Sequence, residues 1–176
     1  MGDEAQVEEN VRASAAQQGT VVPLRLEEFL PYRITLLANI MAEALSRIYA
    51  KRYHIGIAEW RVLVTLGQYG VMTGKAIGAH SHMHKTKVSR AVRMLESRQL
   101  VMRRANRGDL REALLSLTPA GVDIYRDLAP AALVFAQRLV AAVEPCDQAG
   151  MDRVLTALTD SAAQLAAEPP RAADEG

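Results

Sequence analysis

The most constraining feature of the sequence is residues 84–98 (HKTKVSRAVRMLESR), where apolar and basic side chains separate onto two faces of one predicted helix. Val88, Val92 and Leu95 recur at the three- and four-residue spacing that places side chains on one side of an α-helix. The other face carries cationic and hydroxyl side chains at similar spacing, namely Lys85, Ser89 and Arg93, with Thr86 and Arg90 beside them. Such a helix packs through its apolar side and presents cations to solvent.

Signals on both sides of this helix predict a winged helix-turn-helix. A helix over Ile57–Tyr69 is followed by a short helix within TGKAIGAHS (73–81), for which Thr73 is the capping residue, and a turn at 81–83 leads into the basic helix. Beyond it, Leu100–Arg104 and Glu112–Leu117 have the composition of short strands, and the intervening ANRGDLR contains the turn formers Asn, Gly and Asp. These elements form a helix-turn-helix followed by a β-hairpin wing.

The distribution of charge favours a nucleic-acid partner, although the net charge of +1 does not. Between His82 and Arg111 the sequence contains nine basic and two acidic residues, which gives a local charge of +7. The remainder of the chain therefore carries a charge of −6. An ordinary solvated helix face is the alternative. Against it, the basic face has almost no acids and is followed by a hairpin from which Arg107 and Arg111 are expected to project. We therefore interpret this region as a surface that contacts DNA.

Long helices are predicted on both sides of the winged region. The apolar stripe in residues 31–53 is wider than one neighbouring helix would cover, which indicates burial against two partners, one of them a second subunit. Thr118-Pro119 begins a helix that continues to about Val143 with a bend near Pro130, and a last helix follows over about Asp147–Ala167. The fold class is therefore mainly α. The predicted organisation is a disordered arm (1–23), a dimerisation helix (24–56), a winged helix-turn-helix domain (57–117), C-terminal dimerisation helices (118–167) and a disordered tail (168–176).

The sequence lacks the motifs of catalytic and cofactor sites. It has no Gly-rich phosphate loop, no G-x-S-x-G elbow and no paired-carboxylate signature. His80, His82 and His84 alternate, but they straddle a turn and a helix start without a carboxylate among them, so we assign no metal site. Cys146 is the single cysteine and has no neighbouring cationic cluster to activate its thiol. No apolar run approaches the length of a membrane span, so we expect a cytoplasmic protein without a membrane anchor. Because catalytic and cofactor motifs are lacking, we also expect no enzymatic activity and no cofactor.

Four segments, in this order and at this spacing, resemble the MarR family of bacterial transcriptional regulators. They are EWRVLVTL (59–66), HKTKVSRAVRMLESRQLVMRR (84–104), GDLR (108–111) and LTPAG (117–121). The resemblance covers about residues 27–166. It implies a homodimer in which the first and last two helices form the dimerisation region, each recognition helix enters a major groove of double-stranded DNA, and each wing reaches the adjoining minor groove.

The resemblance also implies roles for individual residues. Arg111 corresponds to the wing arginine that enters the minor groove, and Asp109 to the aspartate that braces the wing. With the helix-capping Thr73 and the wing-tip Arg107 included, the predicted DNA-binding residues are Thr73, His84, Lys85, Thr86, Lys87, Ser89, Arg90, Arg93, Arg107, Asp109 and Arg111. The sequence departs from the family pattern where Leu110 replaces an arginine, Gln99 a glycine and His84 a small capping residue.

An effector is also implied by the resemblance. Many relatives release DNA when a small phenolic or aromatic acid binds, and LPYRITLLAN (30–39) is similar to the first helix of relatives that respond to aromatic acids or their coenzyme A thioesters. Arg33, Asn39 and Trp60 are the candidate ligand-binding residues, although a surface arginine and a core tryptophan are the favoured interpretation. We expect a ligand-responsive repressor that binds a pseudo-palindromic operator. The alternatives are a winged-helix protein-docking module and a thiol redox sensor that uses Cys146.

Overall fold

The computed structural model describes residues 24–109 and 111–168. The predicted disordered arm (1–23), nearly all of the predicted tail (169–176) and Leu110 lie outside the described residues. The elements of the described part are α1 (Leu30–Tyr53), α2 (Ile57–Tyr69), β1 (Met72–Thr73), α3 (Gly74–Ser81), α4 (Lys85–Ser97), β2 (Val101–Ala105), β3 (Ala113–Leu117), α5 (Pro119–Val140) and α6 (Pro145–Ala167). This order of helices and strands confirms the predicted mainly α fold with a winged helix-turn-helix.

The described residues fall into two compact units, which lie within Met1–Ala42 and within Glu43–Gly176. In the first unit the described part of α1 leaves large apolar side chains exposed, among them Ile34, Leu37 and Ile40. Among the described residues no single helix has the length and apolar character to cross a membrane, and α5 and α6 meet that criterion only as a pair bent by 115°.

The core of the second unit forms where α2, α3 and α4 pack together. Leu63 and Leu66 of α2, Ile77 of α3 and Val92 and Leu95 of α4 are fully or almost fully buried. Side chains of this size dominate core energetics, because each contributes about 1.5–3 kcal/mol when removed from water. The predicted inner face of the basic helix is thus confirmed, and its burial fixes which side of α4 faces solvent.

The wing is a three-stranded antiparallel sheet with strand order β1-β3-β2. In the hairpin, Val101 pairs with Leu117 and Ala105 with Ala113. The sequence did not predict β1, because a strand of two residues has no alternation to detect. It exists only through its pairing with Leu114 and Leu115 of β3, and it connects the start of α3 to the wing.

Proline and capping residues set the ends of the two C-terminal helices. The Thr118 hydroxyl accepts a hydrogen bond from the backbone N–H of Gly121 at 3.1 Å, as its predicted capping role requires. The α5 helix runs through Pro130 and ends at Val140, not at the predicted Val143. The prediction for the start of α6 was also late, since Pro145 occupies its first turn and needs no amide hydrogen bond there.

Gln99, between α4 and β2, has the left-handed backbone angle φ +58°. A residue with a Cβ atom costs about 1–2 kcal/mol in this region, whereas glycine adopts it without steric cost but loses more entropy on folding. We therefore expect Gln99→Gly to raise the free energy of unfolding by about 0.5–1 kcal/mol, measured by urea denaturation. Gln99→Ala keeps the Cβ atom and is the control. A glycine variant less stable than the alanine variant would contradict the expectation.

Candidate nucleic-acid interface

The solvent face of α4 carries a continuous set of polar and cationic side chains. The helix is held to the body by Val88, Ala91, Val92 and Leu95, each no more than 3% exposed. The predicted DNA-binding residues on this helix all lie on the exposed side, namely Lys85, Thr86, Lys87, Ser89, Arg90 and Arg93. The structure therefore brings these six side chains together on one accessible surface, called the α4 face below.

Two predicted DNA-binding residues, Thr73 and His84, cap helices. The Thr73 hydroxyl accepts a hydrogen bond from the backbone N–H of Ala76 at 3.2 Å, and this half-buried residue also belongs to β1. His84 precedes α4, and its Nδ1 accepts a hydrogen bond from the Thr86 backbone N–H at 3.3 Å. Because Nδ1 accepts, the neutral ring carries its proton on Nε2, which is then the atom that can donate to a partner. His84 is exposed at the start of the α4 face.

Side chain to backbone hydrogen bonds shape the tip of the wing. Asn106 Oδ1 accepts from the Gly108 backbone N–H at 3.0 Å, and Asp109 Oδ1 accepts from the Arg111 backbone N–H at 2.9 Å. Asn and Asp favour turns because they make such local bonds. Asp109 thus orders the backbone next to Arg111, the contact a bracing aspartate would make. Arg107 and Arg111 are exposed on either side of it.

Two of the nine basic side chains in this region are held within the protein. Arg103 of β2 makes a two-pronged ion pair with Glu96 of α4, with Nε–Oε1 and Nη2–Oε2 distances of 2.8 and 3.1 Å. The hydrogen bond to Glu96 raises the pKa of the Arg103 guanidinium. Arg98, after the last turn of α4, donates to the backbone carbonyls of Tyr53 and His54. A count of charges along the sequence misses both pairings because they depend on contacts between separate elements.

The other seven cations of this region make no ion pair and no hydrogen bond to a backbone carbonyl within residues 24–109 and 111–168. They are Lys85, Lys87, Arg90, Arg93, Arg104, Arg107 and Arg111. Lys85 and Arg111 also border a groove of about 620 Å³ between α3, α4 and β3, with Val88, Val92 and Leu115 in its apolar wall. Lys85 and Ser89 of the α4 face and Arg111 of the wing thus line one concave surface.

The three predicted ligand-binding residues have separate environments. Arg33 and Asn39 are exposed on α1 in the first unit. In the second unit Trp60 is 7% exposed and stacks on Tyr49, with ring centroids 5.0 Å apart and planes inclined by 17°. Burial raises the pKa of the Tyr49 hydroxyl. The environment of Trp60 is that of a core residue, the interpretation favoured from the sequence.

The histidines and the cysteine are further candidate chemical groups among the described residues. Among the described residues no three His, Cys, Asp or Glu side chains converge on a point that would hold a metal ion. The ring of His80 lies against that of Tyr69 at a centroid distance of 4.5 Å. Cys146 is exposed, and its thiol is 3.9 Å from the carboxylate oxygen Oδ1 of Asp147.

Comparisons with known proteins give a consistent picture. Residues 55–113 match the model of the MarR family. A MarR/EmrR family transcriptional regulator from Acinetobacter sp. ADP1 is 23% identical with a TM-score of 0.73, over 80% of this chain and 99% of that one. A MarR family transcriptional regulator from Silicibacter pomeroyi DSS is 26% identical with a TM-score of 0.66, over 77% and 90%. BpsR from Bordetella bronchiseptica, whose DNA binding is regulated by 6-hydroxynicotinic acid, is 17% identical with a TM-score of 0.69, over 79% and 99%. No curated protein sequence is a significant match to this chain.

Proposed function

We propose that this chain, whose residues 55–113 match the model of the MarR family, is a DNA-binding transcriptional regulator of that family and acts as a homodimeric repressor of a pseudo-palindromic operator. Members of this family regulate transcription and are not enzymes. The observation that carries the proposal is the α4 face, six exposed polar or cationic side chains on a helix whose opposite side is buried. A helix of this kind fits the major groove, where side chains reach base edges.

The α4 face and the wing have different proposed roles. Lys87 and Arg90 are long donors on the exposed face and suit the O6 and N7 acceptors of guanine. Lys85 and Arg93 suit backbone phosphates, which position the protein without reading sequence. In the wing, Arg107 and Arg111 suit the minor groove, where basic side chains respond to groove width. Thr73, buried in part as a helix cap, would act by positioning α3.

Exposed apolar faces support the homodimer. In the first unit, Ile34, Leu37 and Ile40 are exposed on α1, and in the second unit Val154, Leu155 and Leu165 are exposed on α6. Large contiguous apolar surfaces on a helix indicate contact with another protein surface. A second copy related by a two-fold axis would cover both and would place two recognition helices about one turn of DNA apart, or about 34 Å. The domain boundaries given by the sequence remain predictions.

Fluorescence anisotropy tests the proposal, with the DNA upstream of the protein's own gene compared with a scrambled duplex across a salt series. We expect tighter binding to the upstream DNA, and an affinity that falls steeply with salt because lysines and arginines release counterions from phosphates. Sedimentation velocity on the same sample should give a dimer. Binding that ignores sequence would leave only a non-specific DNA-binding role. The absence of binding at low salt would instead favour a protein-docking module.

We also propose that a small aromatic acid or its coenzyme A thioester releases the DNA. The regulation of BpsR by 6-hydroxynicotinic acid supports this class of ligand. Arg33 supports it as well, since an exposed guanidinium can pair with a carboxylate or a phosphate.

Calorimetry with 6-hydroxynicotinic acid, benzoate and benzoyl-coenzyme A tests the effector. We expect one of them to bind the wild-type protein and to bind Arg33→Ala at least about 10-fold more weakly, because the variant has lost a charge-assisted hydrogen bond. Arg25→Ala, which removes another exposed cation near the start of α1, is the matched control. If no compound releases heat, or if Arg33→Ala binds like the control, the proposed effector site is wrong.

A further inference from the structure

We infer that Arg98 is a positioning residue that sets the orientation of the recognition helix α4 from the end of α1, and is not a contact to DNA phosphate. This inference rests on the proposed function. From the sequence, Arg98 is one of nine basic residues in a region of +7 charge and is indistinguishable from the others. Its contacts in the structure distinguish it.

Arg98 connects the C-terminal ends of two helices. It is the first residue after α4, and its Nη2 and Nη1 atoms donate to the carbonyl oxygens of Tyr53 and His54 at 2.6 and 3.1 Å. Tyr53 is the last residue of α1 and His54 follows it. Carbonyls at a helix C-terminus have no partner within the helix, and the helix dipole makes this end negative. A guanidinium that donates to two of them is therefore well matched in charge and geometry, and its planar fork fixes direction as well as distance.

The same end of α1 is also held by α5. The Tyr53 hydroxyl donates to Asp127 Oδ2 at 2.8 Å, and Arg52 Nη1 lies 2.8 Å from the same oxygen. The Arg52 guanidinium also lies over the Tyr53 ring, 5.1 Å from its centroid. Donation to Asp127 raises the pKa of the Tyr53 hydroxyl, which therefore stays protonated as a donor. The end of α1 thus has directional contacts to α4 and to α5.

The chain turns sharply at this junction. His54 has φ +50°, a left-handed conformation uncommon for residues other than glycine, and the next residue, Ile55, is buried. The His54 N–H still bonds to the Ala50 carbonyl at 2.9 Å, so the turn follows α1 directly. Because Arg98 donates hydrogen bonds to the two carbonyl groups at this turn, a movement of the end of α1 would be transmitted to the end of α4.

The consequence for DNA binding is geometric. The buried side chains of α4 determine which face is solvent-exposed, but apolar contacts are non-directional and tolerate small rotations. A dimer reads two half-sites at a fixed separation, so a small rotation of each recognition helix changes the fit at both. Arg98 supplies a directional contact that limits this rotation.

The test compares Arg98→Met with Arg93→Met, because methionine keeps most of the side-chain length and removes the guanidinium. For Arg98→Met we expect about 10-fold weaker binding to the operator, unchanged binding to random DNA, and a salt slope equal to that of the wild-type protein. For Arg93→Met, on the exposed α4 face, we expect weaker binding to both duplexes and a salt slope smaller by about 0.9. The slope separates positioning from phosphate contact.

A second readout is tolerance of half-site spacing. Inserting or removing one base pair at the centre of the operator should lower its affinity for the wild-type protein. For Arg98→Met this loss of affinity should be smaller. Tyr53→Phe, which removes only the hydroxyl donated to Asp127, should shift the same preference in the same direction with its salt slope unchanged. This second variant serves if Arg98→Met fails to fold, as judged by circular dichroism.

The outcomes separate this inference from the function on which it rests. A salt slope reduced by about 0.9 in Arg98→Met, with equal losses on both duplexes, would make Arg98 a phosphate contact and overturn the inference alone. Unchanged operator affinity and spacing preference in folded Arg98→Met would overturn it as well. If the wild-type protein binds neither duplex, the proposed function fails and the inference fails with it.

Discussion

Replacing Lys87 and Arg90 together with alanine is expected to lower operator affinity by at least about 30-fold, because each side chain proposed to contact a base edge contributes roughly 1–3 kcal/mol. Both are exposed, and α4 is held to the body by its opposite, buried side. The free energy of unfolding should therefore change little. Most of the preference for operator over random DNA should also disappear, since base contacts carry the specificity. Anisotropy titrations with both duplexes at fixed salt measure the two effects.

A variant with the same charge separates base reading from general electrostatics. Lys51→Ala with Arg138→Ala removes two exposed cations, on α1 and α5, outside the α4 face and the wing. It should keep the preference for operator DNA. Arg111→Ala, on the wing, should weaken binding to specific and random DNA alike. Equal losses on both duplexes for the Lys87 and Arg90 variant would refute their assignment as base-reading residues.

Gly121→Ala is expected to destabilise the protein by at least about 2 kcal/mol, a value typical of added atoms that a packed structure cannot accommodate. A Cβ atom on Gly121 would clash with the Leu100 carbonyl oxygen and would lie 3.1 Å from the carbonyl carbon. That oxygen accepts the Thr118 N–H at 3.0 Å, and Gly121 itself donates to the Thr118 hydroxyl. The Leu100 carbonyl and the Gly121 backbone are thus both fixed by hydrogen bonds, at the point where α5 crosses the start of the wing.

Thermal and urea denaturation measure this effect, with Gly150→Ala as the control. In α6 a Cβ atom on Gly150 would meet only Arg153 Nη2 at 3.9 Å, so its alanine variant should be neutral or more stable by up to about 1 kcal/mol. For Gly121→Ala we expect a melting temperature lower by about 4–8 °C, from the usual relation between stability and melting temperature at this chain length. Equal stability of the two variants would show that α5 and Leu100 move apart to accommodate the added atom, and would contradict the prediction.

Much of the fold was predictable because its signals are local. The spacing of Val88, Val92 and Leu95 identified the buried side of α4, and that side is buried in the structure. Thr73 and Thr118 were recognised as capping residues because a side-chain oxygen three residues before a free N–H is a short-range arrangement. Helix order, the hairpin and the exposure of the α4 face follow from such patterns.

The positions of the helices and the wing, and the cationic face of α4, could therefore be predicted, since they depend on side-chain periodicity and on residues a few positions apart. Which cations are free to bind could be learned only from contacts between distant parts of the folded chain. Arg103 is paired with Glu96, and Arg98 with carbonyls 44 and 45 residues earlier in the chain. The β1 strand and the close contact at Gly121 depend on the tertiary structure in the same way. These contacts join segments that are distant in the chain. Charge and periodicity along the chain do not predict which distant groups come within hydrogen-bonding distance in the folded protein.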